Sequence, residues 1–171
     1  TLGERLETLN FTSTFTVNVF GVLNGLVPLA DRMRDRGFGQ IAIIGSVTAY
    51  FGFPTAAAYG ATKAALNNMA QSLRHDFDRL NIRLQIINPG FVETQLTTRY
   101  RIPMPMKMTV ENAACRIARG LQSGGFEIAF PRRLVWPMKA MRLLPIDAAH
   151  ALIRRITGWE RHRLSRRKVR R

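Results

Sequence analysis

Gln40-Ile41-Ala42-Ile43-Ile44-Gly45-Ser46 decides the fold. The run is apolar, short and closed by glycine, and it reads as a strand of the kind buried on both faces of a parallel sheet. Upstream, Phe15, Val19, Val22, Leu26, Leu29 and Met33 recur at spacings of three and four, the stripe of a helix with one buried face. Pro28 lacks a backbone donor and is expected to bend that helix, which Gly37 and Gly39 end. Downstream, Gly52 and Pro54 punctuate a loop before a second helix from about Ala57 to Leu80, with Leu66, Met69, Leu73, Phe77 and Leu80 inward and Asn81 closing it.

The pattern then repeats. Ile82 to Ile87 is a second strand, stopped by Asn88-Pro89-Gly90. Thr109 is the expected N-cap of a third helix that turns Val110, Ala113, Ala114, Ile117 and Leu121 inward, and Gly124-Gly125 end it. Phe126 to Phe130 is the last strand. Helices and strands alternating through short connections build a parallel sheet with helices on its faces, so the fold class is α/β.

Composition narrows the chemistry. With 171 residues and 46% hydrophobic content, one domain with a real core is expected. The lone Cys115 forms no internal disulfide, fits a reducing cytoplasm, and offers no thiol cluster for zinc; His75, His150 and His162 are scattered, so no metal site is expected. No stretch resembles a signal peptide, and no run of eighteen uncharged apolar residues is read, so no spanning helix is expected. The net charge of +15 owes much to Arg161, Arg163, Arg166, Arg167, Lys168, Arg170 and Arg171. Such a tail is either a solvated end or an attractor of anionic lipid or nucleic acid. Nothing in the core supports nucleic-acid reading.

Tyr59 and Lys63 carry the first chemical signal. Four residues apart, they share one face of the second helix. A free phenol has a pKa near 10, and a cation a few ångströms away favours the phenolate and lowers that pKa by roughly 1–3. The pair suits a proton shuttle to or from an alcohol. Tyrosine and lysine at this spacing are common on exposed helices, so the pair gains meaning from its company. Ser46 ends the first strand, where a parallel sheet opens its ligand crevice, and can donate to a substrate oxygen; a loop-start serine bonding local backbone is the plainer alternative. Pro89-Gly90 ends the next strand and lets backbone approach a ligand, and Thr94 offers a hydroxyl there or an ordinary cap. Asn18 sits mid-helix near the buried stripe, which points to a polar task inside.

Taken together, Val17-Asn18-Val19-Phe20-Gly21, Gly39 to Ser46, Ala58-Tyr59-Gly60-Ala61-Thr62-Lys63-Ala64-Ala65, Ile82-Arg83-Leu84 and Asn88-Pro89-Gly90-Phe91-Val92-Glu93-Thr94 resemble the short-chain dehydrogenase/reductase family, in its order and spacing over roughly residues 1–130. The resemblance implies a Rossmann-like, doubly wound parallel sheet, and reversible hydride transfer between NAD or NADP and a small-molecule carbonyl/alcohol pair. It implies Tyr59 as acid/base, Ser46 as the group that orients and polarises the substrate oxygen, and Lys63 as the residue that lowers the tyrosine pKa and bonds the nicotinamide ribose. Asn18 would hold a water in a relay reaching Lys63, and Pro89, Gly90, Val92 and Thr94 would meet the nicotinamide side.

One family element is missing from the 171 residues. The strand and Gly-rich turn that wrap a pyrophosphate at a helix N-terminus do not occur, and Gly21-Val22-Leu23-Asn24-Gly25 lies inside a helical pattern with no strand before it. Residues 1–130 are therefore expected to be the C-terminal portion of such a domain, truncated at its N-terminal side, with its first strand exposing an edge. This piece alone is expected to bind cofactor poorly and to be inactive.

Residues 131–171 form a second region. Leu134, Trp136, Met138, Leu143 and Leu144 mix with Arg132, Arg133, Lys139 and Arg142, and Leu152, Ile153 and Ile156 lie beside Arg154 and Arg155. Two basic amphipathic helices broken at Pro145 are expected, with Asp147 capping the second. They either pack as a lid or subunit contact, or lie peripherally on an anionic membrane surface. The loop from Gln95 to Lys107, with Tyr100, Ile102, Met104 and Met106, is expected to line an apolar, adaptable substrate cleft, and an apolar C-terminal lid over it would suit a lipophilic substrate. Homo-oligomerisation is carried over from the family. The alternative to an enzyme is a non-catalytic membrane-associated or protein-interaction member that uses the basic C-terminal helices.

Overall fold

The computed structural model describes residues 7–94 and 106–159. Its elements are α1 (Thr8–Phe15), a π-helical turn (Thr16–Phe20), α2 (Gly21–Arg36), β1 (Gly39–Ile44), a 3₁₀ turn (Val47–Ala49), α3 (Ala57–Arg79), β2 (Ile82–Pro89), α4 (Val110–Gln122), β3 (Glu127–Phe130), α5 (Arg132–Met141) and α6 (Ile146–Ile156). The sheet is parallel throughout in the order β1-β2-β3, with Ile44 opposite Ile87 and Pro89 opposite Phe130. Parallel neighbours need crossovers, and α3 and α4 supply them. The chain is α/β, as the alternating pattern predicts.

Alternation along β2 sorts the core into two layers. Ile82, Leu84 and Ile86 pack with Leu26, Ile41, Ile43, Leu66, Ala70 and Phe77, so α2 and α3 cover one face. Ile87 packs with Ala113, Ile128 and Phe130, so α4 covers the other. Gln85, also on the α4 side and fully buried, donates to the carbonyls of Gly120 and Gly125 and accepts from Gln40 Nε2, which ties the end of α4 to the sheet. A third cluster (Val47, Val135, Met138) seats α5 beside the turn that follows β1.

Several expectations need correction. β1 is not buried on both faces: Ile41 and Ile43 are, but Gln40, Ala42 and Ile44 on the opposite face are exposed. The reason is coverage, since α4 contacts β2 and β3 and leaves β1's side of that layer open. The first helix begins at Thr8 and stays α-helical through Pro28, and it carries a π turn at Thr16–Phe20 that the sequence pattern does not announce. The charge-free stretch from Thr8 to Ala30 also defeats the expectation about spanning segments. By length and composition Thr8–Arg36 is apolar enough to cross a membrane. Its Val22, Leu26, Ala30 and Met33 pack against the core, and a helix of a folded domain meets the same criterion. Finally, Asp147 lies in the first turn of α6, whose N-cap is Pro145; that cap position offers no side-chain acceptor.

Helix ends otherwise follow sequence chemistry. Thr109 Oγ1 accepts from the Asn112 N–H at 3.3 Å and caps α4. Gly37 stops α2 at φ +81°, a conformation open to glycine at no steric cost.

Candidate active site

Ser46 stands two residues past the end of β1 and is 8% exposed. It is fixed at two atoms. Its N–H donates to Asn88 Oδ1 at 2.9 Å, and its Oγ accepts from the Thr48 N–H at 3.2 Å, capping the 3₁₀ turn. The local backbone bond of the plainer reading is therefore present. A hydroxyl that accepts one bond still has a proton to donate.

Tyr59 and Lys63 occupy the first two turns of α3. Lys63 is 9% exposed, its Nζ donating to the Ile44 carbonyl at 2.8 Å and lying 5.6 Å from the centre of the Tyr59 ring. Burial lowers its pKa from the ordinary lysine value. Tyr59 itself is 37% exposed. The serine, the lysine and the tyrosine ring thus gather at the C-terminal edge of β1, where open parallel sheets take ligands.

Asn18 lies in the middle of the π turn, a local widening that often marks functional segments. Its Nδ2 donates to Thr62 Oγ1 at 3.1 Å, and that hydroxyl donates to the Tyr59 carbonyl at 2.7 Å. The side chain therefore braces the first turn of α3 next to Lys63. Pro89 ends β2 within one residue of Asn88, and the Gly90 N–H donates to the Phe130 carbonyl at 2.7 Å. A Cβ on Gly90 would stand 3.0 Å from both Pro131 and Leu134, so close packing against the start of α5 asks for glycine here. Val92 forms a parallel bridge with Met108, and Thr94 is exposed at the end of that segment. Of the expected cleft loop, Met106 and Lys107 are described and Lys107 pairs with Glu93 at 2.9 Å; Gln95 to Pro105 lie outside the described residues, as do Arg161 to Arg171.

Sequence reasoning missed the polar cluster behind Ser46. Asn88, fully buried, pairs reciprocally with Asn67: Asn67 Nδ2 donates to Asn88 Oδ1 at 3.0 Å and Asn88 Nδ2 to Asn67 Oδ1 at 2.8 Å. Asn88 Nδ2 also donates to Glu127 Oε1 at 2.8 Å, and that carboxylate accepts from Tyr50 and Lys139 as well. The available signal was a polar residue inside each apolar run, since buried polar groups need partners. Asn67 stands one turn beyond Lys63, Asn88 follows two isoleucines, and Glu127 interrupts the last strand.

Electrostatics follow from those bonds. Burial by itself would raise the Glu127 carboxyl, but hydrogen bonds from Lys139, Tyr50 and Asn88, with the Lys139 charge, hold it below the usual carboxylate value. Burial first, then the bond to Glu127, pushes the Tyr50 phenol above its ordinary range and keeps it a donor. Because folding lowers the Glu127 pKa, its stabilisation is complete above the usual value near 4.5 and is lost as pH falls through the depressed one. A Glu127→Gln variant should lose about 1–3 kcal/mol at neutral pH. Its unfolding midpoint should also fall less steeply in acid than that of the parent; parallel acid profiles in urea titrations would remove Glu127 from the account.

Comparison with known proteins places this geometry. Residues 3–104 match the short chain dehydrogenase family. An uncharacterized oxidoreductase of Myxococcus xanthus is 31% identical over 156 residues, 91% of this chain and 62% of that protein. An acetoacetyl-CoA reductase of Synechocystis is 26% identical over 85% of this chain and 56% of its own length. A short chain dehydrogenase from Burkholderia cenocepacia, solved in complex with NADP, superposes with a TM-score of 0.76 at 22% identity, over 86% of this chain and 60% of that one. The chain thus spans about three-fifths of the length of such relatives. With more than half its residues matched and its fold shared, the chain belongs to the short-chain dehydrogenase family.

Proposed function

We propose that this chain carries the catalytic half of an NAD(P)-dependent oxidoreductase that interconverts a carbonyl and an alcohol. The observation that carries the reading is the Lys63 ammonium, held on the Ile44 carbonyl beside the Tyr59 ring, two residues from Ser46. In reduction, the Ser46 hydroxyl donates to the substrate oxygen and polarises the carbonyl, and the Tyr59 phenol delivers a proton to that oxygen as it gains charge. Lys63 favours the phenolate left behind. In oxidation the phenolate removes the alcohol proton. A nicotinamide cofactor supplies or accepts the hydride when bound. Tyr59, Lys63, Pro89, Gly90, Val92 and Thr94 would hold its nicotinamide end, and the donor set fits: a buried cation and two hydroxyls at one edge of a parallel sheet. Asn18, braced on Thr62, would hold a water in a proton relay reaching Lys63. Carbonyl-dependent oxidation of NADH or NADPH by the whole protein tests the reading, and no turnover across a panel of aldehydes and ketones would overturn it.

An apolar cleft of about 690 Å³ between the start of α3 and α6, walled by Tyr50, Phe51, Gly60, Leu144 and Ile146, supports a lipophilic substrate. Exposed Leu9, Val17, Phe20 and Val27 on the first helices support pairing of two copies.

A second reading concerns the α5–α6 surface, which we propose rests on an anionic membrane. Trp136 is 67% exposed, Leu143 88% and Ile146 74%. Arg132 and Arg133 stand one turn from Trp136, and Arg142 adjoins Leu143, so apolar groups are interleaved with cations. Each cation near such a surface adds about 1 kcal/mol, roughly five-fold in binding. The chain should co-sediment with phosphatidylserine vesicles at low salt and lose them at high salt or on Trp136→Ala/Leu143→Ala substitution; equal binding to neutral vesicles, or none, would refute this.

A further inference from the structure

Beyond β1's ladder, the Ser46 N–H has lost its strand partner. The last rung is the Gly45 N–H on the Ile87 carbonyl at 2.7 Å, and the next amide turns to a side chain 42 residues away, Asn88 Oδ1. That orientation of the amide is fixed by chemistry. A backbone N–H can only donate, so Asn88 must present its oxygen to Ser46 and its nitrogen to the Glu127 carboxylate, which can only accept. All four bonding positions of Asn88 are then used: two accepted, from Ser46 and Asn67, and two donated, to Asn67 and Glu127. Asn67 in turn donates to the Lys63 carbonyl at 3.0 Å, linking the same cluster to the turn of α3 that bears the lysine. Glu127 is itself pinned by Tyr50, just beyond the 3₁₀ turn, and by Lys139 from α5.

We propose that Asn88, oriented by Glu127, is a positioning residue that sets the serine for its substrate. The inference rests on the reading of Ser46 as the hydroxyl that polarises a carbonyl. Asn88 does not touch the reacting atoms. It determines where the Ser46 backbone stands, and so where Oγ can reach, while Glu127 prevents the amide from turning over. The arrangement makes the serine sensitive to α5, because Lys139 closes the chain of bonds. A misplacement of about 1 Å at a reacting group costs on the order of 10²-fold in rate. Loss of Asn88 is therefore expected to act on kcat, with the KM for cofactor little changed.

The experiment is a cycle of variants in the whole protein, with kcat and both KM values measured and folding checked by circular dichroism. Asn88→Ala should lower kcat by about 10–100-fold when Ser46 is present, and Ser46→Ala/Asn88→Ala should be no slower than Ser46→Ala alone. Equal fold-losses in both backgrounds would overturn the proposal, because Asn88 would then act independently of the serine. If Asn88→Ala fails to fold, the same cycle is run with Glu127→Gln, which keeps shape but sets a donor NH2 where the carboxylate only accepts; a several-fold loss confined to the Ser46 background supports the proposal, and no loss or a background-independent loss overturns it. Failure of the underlying reading has its own signature: Ser46→Ala itself would turn over like the parent.

Discussion

Replacing Tyr59 with phenylalanine in the whole protein should cut carbonyl reduction by roughly 10²–10⁴-fold and leave nicotinamide-cofactor affinity within a few-fold. The substitution removes one hydroxyl and nothing else. The ring stays beneath Lys63, and Lys63 keeps the Ile44 carbonyl, so the packing that places the ammonium is preserved. Only the proton transfer loses its donor. Of the chain's three tyrosines, Tyr100 lies outside the described residues, and Tyr50 is committed as a donor to Glu127 with its phenol pushed above the ordinary range. Among the described residues, Tyr59 is the tyrosine that combines partial exposure with a neighbouring buried cation. Steady-state kinetics with titration calorimetry on the same variant separate the cases. Unchanged kcat would remove Tyr59 from the reaction, whereas a rise in KM with kcat intact would make it a binding group.

What the sequence disclosed and what it hid divide along separation in the chain. The tyrosine–lysine pair was legible because four residues on a helix is a local relation, set by helical pitch before any tertiary contact forms. The strands were legible from apolar runs such as Ile82 to Ile87, although β2 continues through Asn88 and Pro89, which pair with β3, past the point where the sequence pattern stops it. The exposed face of β1 was not, since the apolar composition of Ile41 to Ile44 says nothing of which layer covers it. The π turn at Asn18 was also hidden. No proline or glycine lies inside it, and Pro28 lies further along, within α2. The cluster behind Ser46 joins positions 21, 39 and 42 residues apart, and only the β1-β2-β3 register brings them together. Each member was visible as an odd polar residue in an apolar run; its partner was not.

Gly45 tests that cluster most severely. A Cβ there would lie 2.7 Å from Asn67 Nδ2 and closer still to Asn88 Oδ1, with the Ile87 carbonyl at 3.2 Å. Both amides are held by several bonds and one of the three neighbours is backbone, so none can give way without breaking a buried hydrogen bond. Overpacking of this kind costs about 1–3 kcal/mol, and each buried polar group left unpaired about as much again. Gly45→Ala should therefore destabilise the fold by about 3 kcal/mol in urea titrations. Its counterpart is Gly52, whose added Cβ would meet open space, and Gly52→Ala should change stability by less than about 1 kcal/mol. Gly45 has no conformational need for glycine, since it does not adopt positive φ; its bareness makes room for two side-chain amides. Equal stability in the two variants would mean that Asn67 and Asn88 can leave their places freely, and the rigid seat inferred for Ser46 would go with them.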